Sequence, residues 1–443
     1  MPQAVPAYFG ELAALLEREL QPGERHTAWF SAEDTDFVRM NRGKVRQPGH
    51  VQQRYLRLRL IRGSRHAEHT LSLAGDLARD RSEVRAAMAG LRAALPDLAD
   101  DPHLLLPDTV VSSSSQRGGP LPPSSEIVDA LLAAAEGEDL VGLLAAGPVY
   151  RGFANSEGQR NWHAATTFNL QWSLYHRADK AVKTSYAGFA WDGAELRGKM
   201  ADARERLALI CRPPKSLAPG RYRAFLAPAA MEEITSLLGW GGFSGRALAT
   251  KQSALGKMQS GTKLDPRVSL REHTGAGVAP AFQADGFTRP DEVPLIDGGE
   301  LVGSLVSPRT AREFGLATNG ANGSEAPEAL AMAGGGLPAG DALCALDTGL
   351  YVGNLWYLNY SDRTACRMTG MTRFATFWVE GGRIVAPVDV LRFDDTLYRM
   401  LGEKLEALTR ETELLLESST YGSRNLASNS LPGALVKEMS FTL

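Results

Sequence analysis

The sequence GLYVGNLWYLNYSDRTACRMTGMTRFATFWVEGGRIVAPVDVLRF, residues Gly349 to Phe393, contains the densest strand pattern of the chain. In it, the β-branched and aromatic run Thr376–Val379 is followed by Glu380-Gly381-Gly382-Arg383 and then by the apolar run Ile384–Val388. β-Branched and aromatic residues favour strands, and a Gly-Gly pair supplies the positive φ angles of a tight turn. The segment therefore predicts a β-hairpin. It holds no evident nucleophile, base or metal-binding cluster, so it indicates the fold but suggests no catalytic or metal-binding site.

Composition limits the classes of protein that the chain can be. Its 443 residues are too many for one ordinary core, so two domains are expected. The net charge of -3 does not favour a nucleic-acid partner, and no apolar run approaches the ~20 residues of a membrane span. The N-terminal segment predicts an amphipathic helix without a basic region, which is not typical of a secretory signal. Three cysteines without C-x-x-C spacing predict reduced, mostly buried thiols in a cytoplasmic protein.

Periodicity along the chain predicts an α+β fold. Helical and strand patterns mix in an N-terminal α/β domain, residues 1–215, and strand patterns dominate a C-terminal β-rich domain with a few helices, residues 216–443. The boundary follows from the Pro- and Gly-rich segment 213–220. Individual elements that matter below are two short strands at His26–Phe30 and Asp36–Met40, an exposed loop at Ser112–Ser125, a helix at Ala229–Leu238 and a closing helix at Thr396–Leu416.

Few residues suggest catalysis or metal binding, and each has a simpler structural explanation. His66 and His69 could ligate a metal, but they span a predicted turn with no third ligand nearby, which favours ordinary surface polarity. Glu232 and Glu233 fit acids in the first turn of a helix, where the helix dipole favours them. A hydrolase with Ser244 or Cys366 as the nucleophile needs a neighbouring base, and none is evident in a recognised motif.

Several segments together resemble the TldD/PmbA family. Thr369–Arg373 through Phe377–Ile384 is similar to the family's "TG…F-x-(V/I)-E-x-G-x-I" signature. The other matching segments, in the family's order, are Asp36–Arg39 with Gly43–Val45, Pro219–Tyr222, Asp285–Phe287 with Pro294–Gly303, and Ser307–Ala311 with Gly315–Gly320. Each motif is weak alone, but their order and spacing extend the resemblance over nearly the whole chain.

The resemblance implies a two-domain protein whose dimer encloses a cavity. In the TldD-type subunit of this family, an HExxxH helix and a late cysteine hold a zinc ion that cleaves unfolded peptides. Here the corresponding helix, Ala229–Leu238, contains no histidine, and no cysteine follows Cys366. The chain is therefore similar to the metal-free TldE/PmbA-type subunit. The resemblance implies no cofactor on this chain and a zinc-bearing TldD-type partner in a heterodimer, with self-association as the other possibility.

A β-rich domain can hold an extended peptide through backbone hydrogen bonds. Trp356, Tyr357, Tyr360 and Arg363 are the predicted peptide-groove residues, although ordinary strand packing would also explain them. The leading hypothesis is thus a non-catalytic part of the substrate chamber of a peptidase complex. A stand-alone homodimeric peptide-binding or peptide-maturation factor is the alternative. No nucleic acid or membrane is expected as a partner.

Overall fold

The computed structural model describes residues 4–177 and 180–442. Its first half contains the strands β1 (Glu24–Asn41), β2 (Lys44–Arg62), β3 (Arg65–Ser72), β4 (Ser113–Arg117), β5 (Asp139–Asn155), β6 (Arg160–Arg177) and β7 (Lys180–Gly188). The helices of this half are α1 (Val5–Arg18), α2 (Leu77–Ala94), α3 (Ser124–Ala134) and α4 (Gly193–Ile210). The strands form one sheet in the order β3-β2-β1-β5-β6-β4, with β7 paired to β6.

The second half forms a separate and larger sheet. Its strands are β8 (Gly220–Leu226), β9 (Leu270–Glu272), β10 (Val293–Asp297), β11 (Glu300–Leu301), β12 (Ala329–Met332), β13 (Gly349–Asp362), β14 (Arg367–Glu380), β15 (Arg383–Pro387), β16 (Arg392–Thr396), β17 (Leu405–Leu416) and β18 (Ser428–Phe441). The helices here are α5 (Pro228–Leu238), α6 (Gly245–Ala249), α7 (Gly256–Gln259), α8 (Pro308–Phe314) and α9 (Ala342–Leu346). Sheets with few helices in both halves confirm the α+β prediction.

Five strands of the second sheet close on themselves. The order β18-β16-β14-β13-β8 returns to its start because β18 also pairs with β8, for example Leu435 with Phe225. We call these five strands the closed ring. Alternate residues of a strand point to opposite faces. One set, including Ala224 and Val436, packs with α5, while Phe225 and Leu435 belong to a core shared with the first domain.

The hairpin predicted from the opening segment is confirmed. β14 pairs with β15 through Glu380 and Arg383, and the two residues between them are Gly381 at φ 55° and Gly382 at φ 72°. Both angles are in the left-handed region, where a side chain would clash with the backbone and glycine does not. The Gly-Gly pair thus determines the position of the turn.

The predicted helix at Thr396–Leu416 is wrong. A single wide helical turn at Arg399–Glu403 leads into β17, which pairs with β18 over most of its length. Leucine and glutamate favour helices in isolation, but a propensity of a few tenths of a kcal/mol per residue is easily outweighed by tertiary pairing. Backbone pairing with β18 decides the conformation of this segment.

Smaller predictions also need correction. The two short strands at 26–30 and 36–40 are parts of the single strand β1, and the predicted loop at 112–125 contains β4, which lies parallel to β6. The thiols are not mostly buried, since Cys211 and Cys344 are exposed and only Cys366 is buried. The predicted domain boundary near residue 215 lies on the connection between α4 and β8. Among the helices in the described ranges, none has the length and apolar character that crossing a membrane demands.

A buried arginine joins the two domains. The segment between β17 and β18 inserts Arg424 against the first sheet, where the side chain is 5% exposed. Its guanidinium donates to the carbonyl oxygens of Gly147 at 2.9 Å and Thr167 at 3.1 Å and to the Thr167 hydroxyl at 2.5 Å. The buried Glu33 carboxylate accepts from the Arg424 backbone amide at 3.3 Å. Burial lowers the pKa of the guanidinium to about 10, so it stays charged at neutral pH.

Replacing Arg424 by methionine should destabilise the protein strongly. Arg424→Met keeps most of the aliphatic volume but leaves the carbonyl oxygens of Gly147 and Thr167 buried without their donor and removes the buried positive charge near Glu33, a change that typically costs about 3–5 kcal/mol. Equilibrium urea unfolding measures the loss. Arg410→Met, at an exposed position of β17, is the matched control and should change stability by less than about 0.5 kcal/mol. Equal small losses in both variants would contradict the assigned role of Arg424.

Candidate functional site

A cavity with a volume of about 530 Å³ lies between the two domains. The first domain contributes β6, β7 and α4 to its walls, and the second contributes the end of β8, the start of α5, β13 and β17. Its volume is within the range of about 300–1,000 Å³ that is common for ligand pockets. The position between domains is also a common one for binding sites. This cavity is the candidate functional site.

Two edge strands contribute to the cavity wall. In the described structure β7 pairs only with β6, and residues 412–415 of β17 pair only with β18. Lys183–Ser185 of β7 and Thr412 and Glu413 of β17 line the cavity. An edge strand presents backbone N–H and C=O groups that can pair with another extended chain. The cavity wall therefore contains two strands that can form backbone hydrogen bonds with a ligand.

Helix α5 directs two carboxylates into this cavity. Met231 and Ile234 bury the apolar side of the helix in the core of the second domain. Glu232 and Glu233 lie between them in sequence and line the cavity. The helix begins at Pro228 and has no acid in its first turn. The interpretation of Glu232 and Glu233 as first-turn acids is therefore wrong, because they lie one turn further along and face the cavity.

Burial changes the ionisation of both carboxylates. It raises the pKa of Glu232 to about 7, since the charged form loses its hydration there. The amide of Asn429, 3.3 Å away, and the charge of Lys183 partly oppose this rise, while Glu233 and Glu417 add to it. Burial also raises the pKa of Glu233. The cavity thus contains a carboxyl group that is close to half-ionised at neutral pH.

The donor groups on α5 do not fit the zinc site that the resemblance implies for the zinc-bearing subunit. Catalytic zinc in hydrolases is typically held by three protein ligands, with histidine nitrogens prominent among them. Here α5 offers only the Glu232 and Glu233 carboxylates to the cavity. Within residues 4–177 and 180–442, no three His, Cys, Asp or Glu side chains are grouped so that they could hold a metal ion.

The four predicted groove residues lie outside this cavity and do not form one group. Trp356 and Tyr357 are 40% and 77% exposed on β13, two and three residues beyond Asn354, which lines the cavity. Tyr360 donates its hydroxyl to the Leu237 carbonyl at 2.8 Å. Arg363 follows the end of β13, and its guanidinium donates to the carbonyl oxygens of Trp240 and Gln252. Tyr360 and Arg363 thus support the end of α5, and a peptide contact for any of the four stays a prediction.

Backbone strain marks the exposed pair. Tyr357 has φ 59°, which is unusual for a residue with a side chain, and it lies where the pairing of β13 with β14 is irregular. The Trp356 ring is covered by the guanidinium of Arg373, 4.2 Å from the ring centroid. On the opposite strand, Phe374 is also at positive φ, 61°. Irregular pairing of this kind bends a strand locally and re-aims its side chains.

The nucleophile candidates have structural roles. The Ser244 hydroxyl caps α6 by accepting from the Ala247 amide at 3.0 Å, and it donates to the buried Glu325 carboxylate at 2.5 Å. Burial raises the pKa of the Cys366 thiol to about 12, so the reactive thiolate is scarcely present at neutral pH. Neither residue lines the cavity. The geometry gives no support to a hydrolase built on either of them.

The paired histidines do not converge. His66 and His69 are three positions apart on β3, and an odd spacing places side chains on opposite faces of a strand. The His66 ring is bonded to the Asp101 carboxylate, with Nε2 and Oδ2 3.0 Å apart, and His69 is exposed. Both residues lie on β3, so the turn predicted at His66 and His69 is wrong.

Fold and cavity define a two-domain α+β protein in which an N-terminal sheet and a closed ring enclose a chamber. The model of the family described as the PmbA/TldA metallopeptidase C-terminal domain matches residues 219–443, which is just over half of the chain and includes the whole ring. The chain therefore belongs to the PmbA/TldD family. None of the curated protein sequences compared with the chain matches it.

Solved structures share the fold over the full length. TldE from Thermococcus kodakarensis superposes with a TM-score of 0.78 at 13% identity, covering 98% of this chain and 100% of the other. A proposed modulator of DNA gyrase from Bacteroides thetaiotaomicron gives 0.75 at 16% identity, with 100% of both chains covered. Another, from Thermotoga maritima, gives 0.73 at 13% identity, with 99% and 100% covered. At these identities the likeness establishes the fold.

Ionisation of Glu232 should destabilise the protein as the pH rises. Its pKa in the folded chain is raised from 4.5 to about 7, so the folded state retains a proton that the unfolded chain releases. Stability is then lost between pH 4.5 and pH 7, by up to about 3 kcal/mol from this group. Glu232→Gln removes the loss, so variant and wild type should be equally stable near pH 4.5 and should diverge towards pH 8.

Urea unfolding at a series of pH values measures this divergence. Glu205→Gln, at an exposed position of α4, is the control and should follow the wild-type pH profile. A stability difference between Glu232→Gln and wild type that does not change with pH would show that Glu232 ionises normally.

Proposed function

We propose that the chain is a metal-free subunit of a TldD/TldE-type metallopeptidase complex in the cytoplasm and forms part of a chamber for unfolded peptides. One observation carries the proposal. The helix at which the resemblance places zinc ligands borders the chamber, and it presents Glu232 and Glu233 there instead of imidazoles. The role left to this chain is to hold the peptide, while a zinc-bearing TldD-type partner supplies the hydrolytic chemistry.

The walls of the cavity support binding of an extended peptide. Residues 183–185 of β7 and 412–413 of β17 belong to edge strands of different domains, so an extended chain in the cavity can find backbone partners on either strand. Strand addition of this kind draws its affinity from main-chain hydrogen bonds and depends little on the peptide's side chains. An unfolded segment fits this requirement because its backbone groups are not already paired.

Metal content and activity test the division of roles. The purified chain is expected to carry no stoichiometric zinc and to cleave no peptide, because α5 provides carboxylates alone. Co-expression with an HExxxH-containing homologue should give a complex with one zinc site and peptidase activity. Elemental analysis of both preparations, with a peptide cleavage assay, provides the measurement.

Two outcomes would change the proposal. Stoichiometric zinc together with peptidase activity in this chain alone would overturn it. A stable homodimer that binds peptide but forms no complex with any such homologue would replace it with the stand-alone peptide-binding factor.

Backbone recognition has its own test. A flexible eight-residue peptide should bind the chain more tightly than the same peptide methylated on alternate backbone nitrogens, which lacks half of its donors. At about 1 kcal/mol for each hydrogen bond, the loss of two bonds would weaken binding by a factor on the order of 30. Isothermal titration calorimetry compares the two peptides, and equal affinities would exclude strand addition.

A further inference from the structure

The cavity has an excess of negative charge. Its walls contain five acidic side chains, Asp202, Glu232, Glu233, Glu411 and Glu413, and three basic ones, Lys183, Lys199 and Arg206. When all are ionised, two negative charges are not balanced. The chain as a whole carries only -3 over 443 residues, so the excess is concentrated in the cavity.

Two of the basic groups are already engaged within the wall. Lys199 Nζ lies 2.7 Å from Glu413 Oε1, and the guanidinium of Arg206 covers the Tyr351 ring at 5.1 Å from its centroid. Lys183 is the basic group that acts on both glutamates of α5, and its Nζ is also 6.0 Å from the Phe374 centroid.

The acidic groups of the cavity differ in how many partners they have. Glu413 pairs with Lys199, and Glu411 accepts from the Ala339 amide at 2.8 Å. Glu232 has one side-chain hydrogen bond, from Asn429 at 3.3 Å. For the Glu233 carboxylate, no hydrogen bond is present within residues 4–177 and 180–442. Asp202 and Glu411 are exposed, so Glu232 and Glu233 are the half-buried acids of the cavity that form no ion pair within residues 4–177 and 180–442.

We propose that Glu232 and Glu233 bind a primary ammonium group of the peptide in the cavity, either its N-terminus or a lysine side chain. This inference rests on the peptide-binding function proposed above. The independent support is the cavity itself: both edge strands line it together with Glu232 and Glu233, so an extended chain paired with either strand lies in the same cavity as the two carboxylates.

The chemistry of the two partners is complementary. An ammonium group offers three hydrogen-bond donors, and two carboxylates offer acceptors on both of their oxygens. Charge-assisted bonds of this type are about twice as strong as neutral ones. A cation also offsets the penalty of keeping a carboxylate charged away from water, so binding should favour the ionised form of Glu232.

Recognition of an ammonium group should make peptide affinity depend on pH. Four groups face Glu232: Asn429 on β18, Glu233 on α5, Lys183 on β7 and Glu417 after β17. Since burial raises the pKa of Glu232 to about 7, its charged form grows between pH 6 and pH 8. A lysine side chain stays protonated over that range, so a lysine-containing peptide should bind more tightly as the pH rises.

The experiment uses the full chain and three synthetic eight-residue peptides in isothermal titration calorimetry. The first is a Ser/Ala peptide with a free N-terminus, the second is its N-acetylated form, and the third is the acetylated form with one central lysine. We expect acetylation to weaken binding at least about tenfold at pH 7. If the lysine restores the affinity, the site accepts the side chain, and if it does not, the site is specific for the N-terminus.

The double variant Glu232→Gln, Glu233→Gln assigns the effect to these residues. It is nearly isosteric, and it should bind the free and acetylated peptides equally, whereas Glu205→Gln on α4 should retain the wild-type difference. Circular dichroism of each variant verifies folding, and the comparison of peptides on the wild-type chain needs no variant.

The possible failures are distinguishable. If all three peptides bind wild type equally, the ammonium proposal is overturned and the peptide chamber stands. A double variant that still prefers the free amine would show that the amine is recognised elsewhere, which also overturns the assignment to α5. If none of the peptides binds, the proposed peptide-binding function fails, and this inference fails with it.

Discussion

Pairing of β18 with four other strands is the constraint on which the second domain depends. β18 lies parallel to β12 and antiparallel to β8, β16 and β17, so one strand closes the ring and also carries the edge strand of the cavity. Asn429, which bonds to Glu232, is on this strand, and Arg424 is on the segment that leads into it. Ring, cavity wall and domain contact therefore share one stretch of backbone.

The two domains are held together in two different ways. An apolar core combines Phe168 of the first sheet with Phe225 and Phe377 of the closed ring, while Arg424 contributes directed hydrogen bonds. Apolar contacts supply most of the free energy of such an interface but are weakly directional. The hydrogen bonds of a buried guanidinium are strongly directional. Together they hold the two sheets between which the cavity lies.

The sequence predicted local structure well where one residue type has a single strong preference. Gly381 and Gly382 placed a turn correctly because few other residues adopt their φ angles, and the apolar spacing of α5 was sufficient to find that helix. It failed at 405–416, where a helix-favouring composition is paired as a strand. The conformation of that segment is decided by its pairing with residues 428–436, which the composition of the segment alone does not reveal.

The site was harder to predict than the fold. Glu232 and Glu233 were visible as a pair on a helix, but their environment comes from β7 and β17, which are separated by more than 200 residues in the chain. A raised pKa depends on burial by those distant elements, and no local pattern encodes it. A signal was nevertheless present. The two acids lie between Met231 and Ile234 on a helix whose other positions are mostly apolar. Adjacent acids on such a helix indicate a polar face directed at a cavity.

The position of β18 in the chain has a consequence for synthesis of the protein. A ribosome makes residues 428–441 after every strand with which they pair, so the ring stays open while the earlier elements emerge. Until that moment the apolar side of α5 and the edges of β8 and β16 lack their partner, and such surfaces attract chaperones and other nascent chains. Ring closure must wait for β18, whereas Arg424 and its partners Gly147 and Thr167 are made before it. Completion of the ring is therefore the step at which these surfaces of the second domain become protected from other nascent chains.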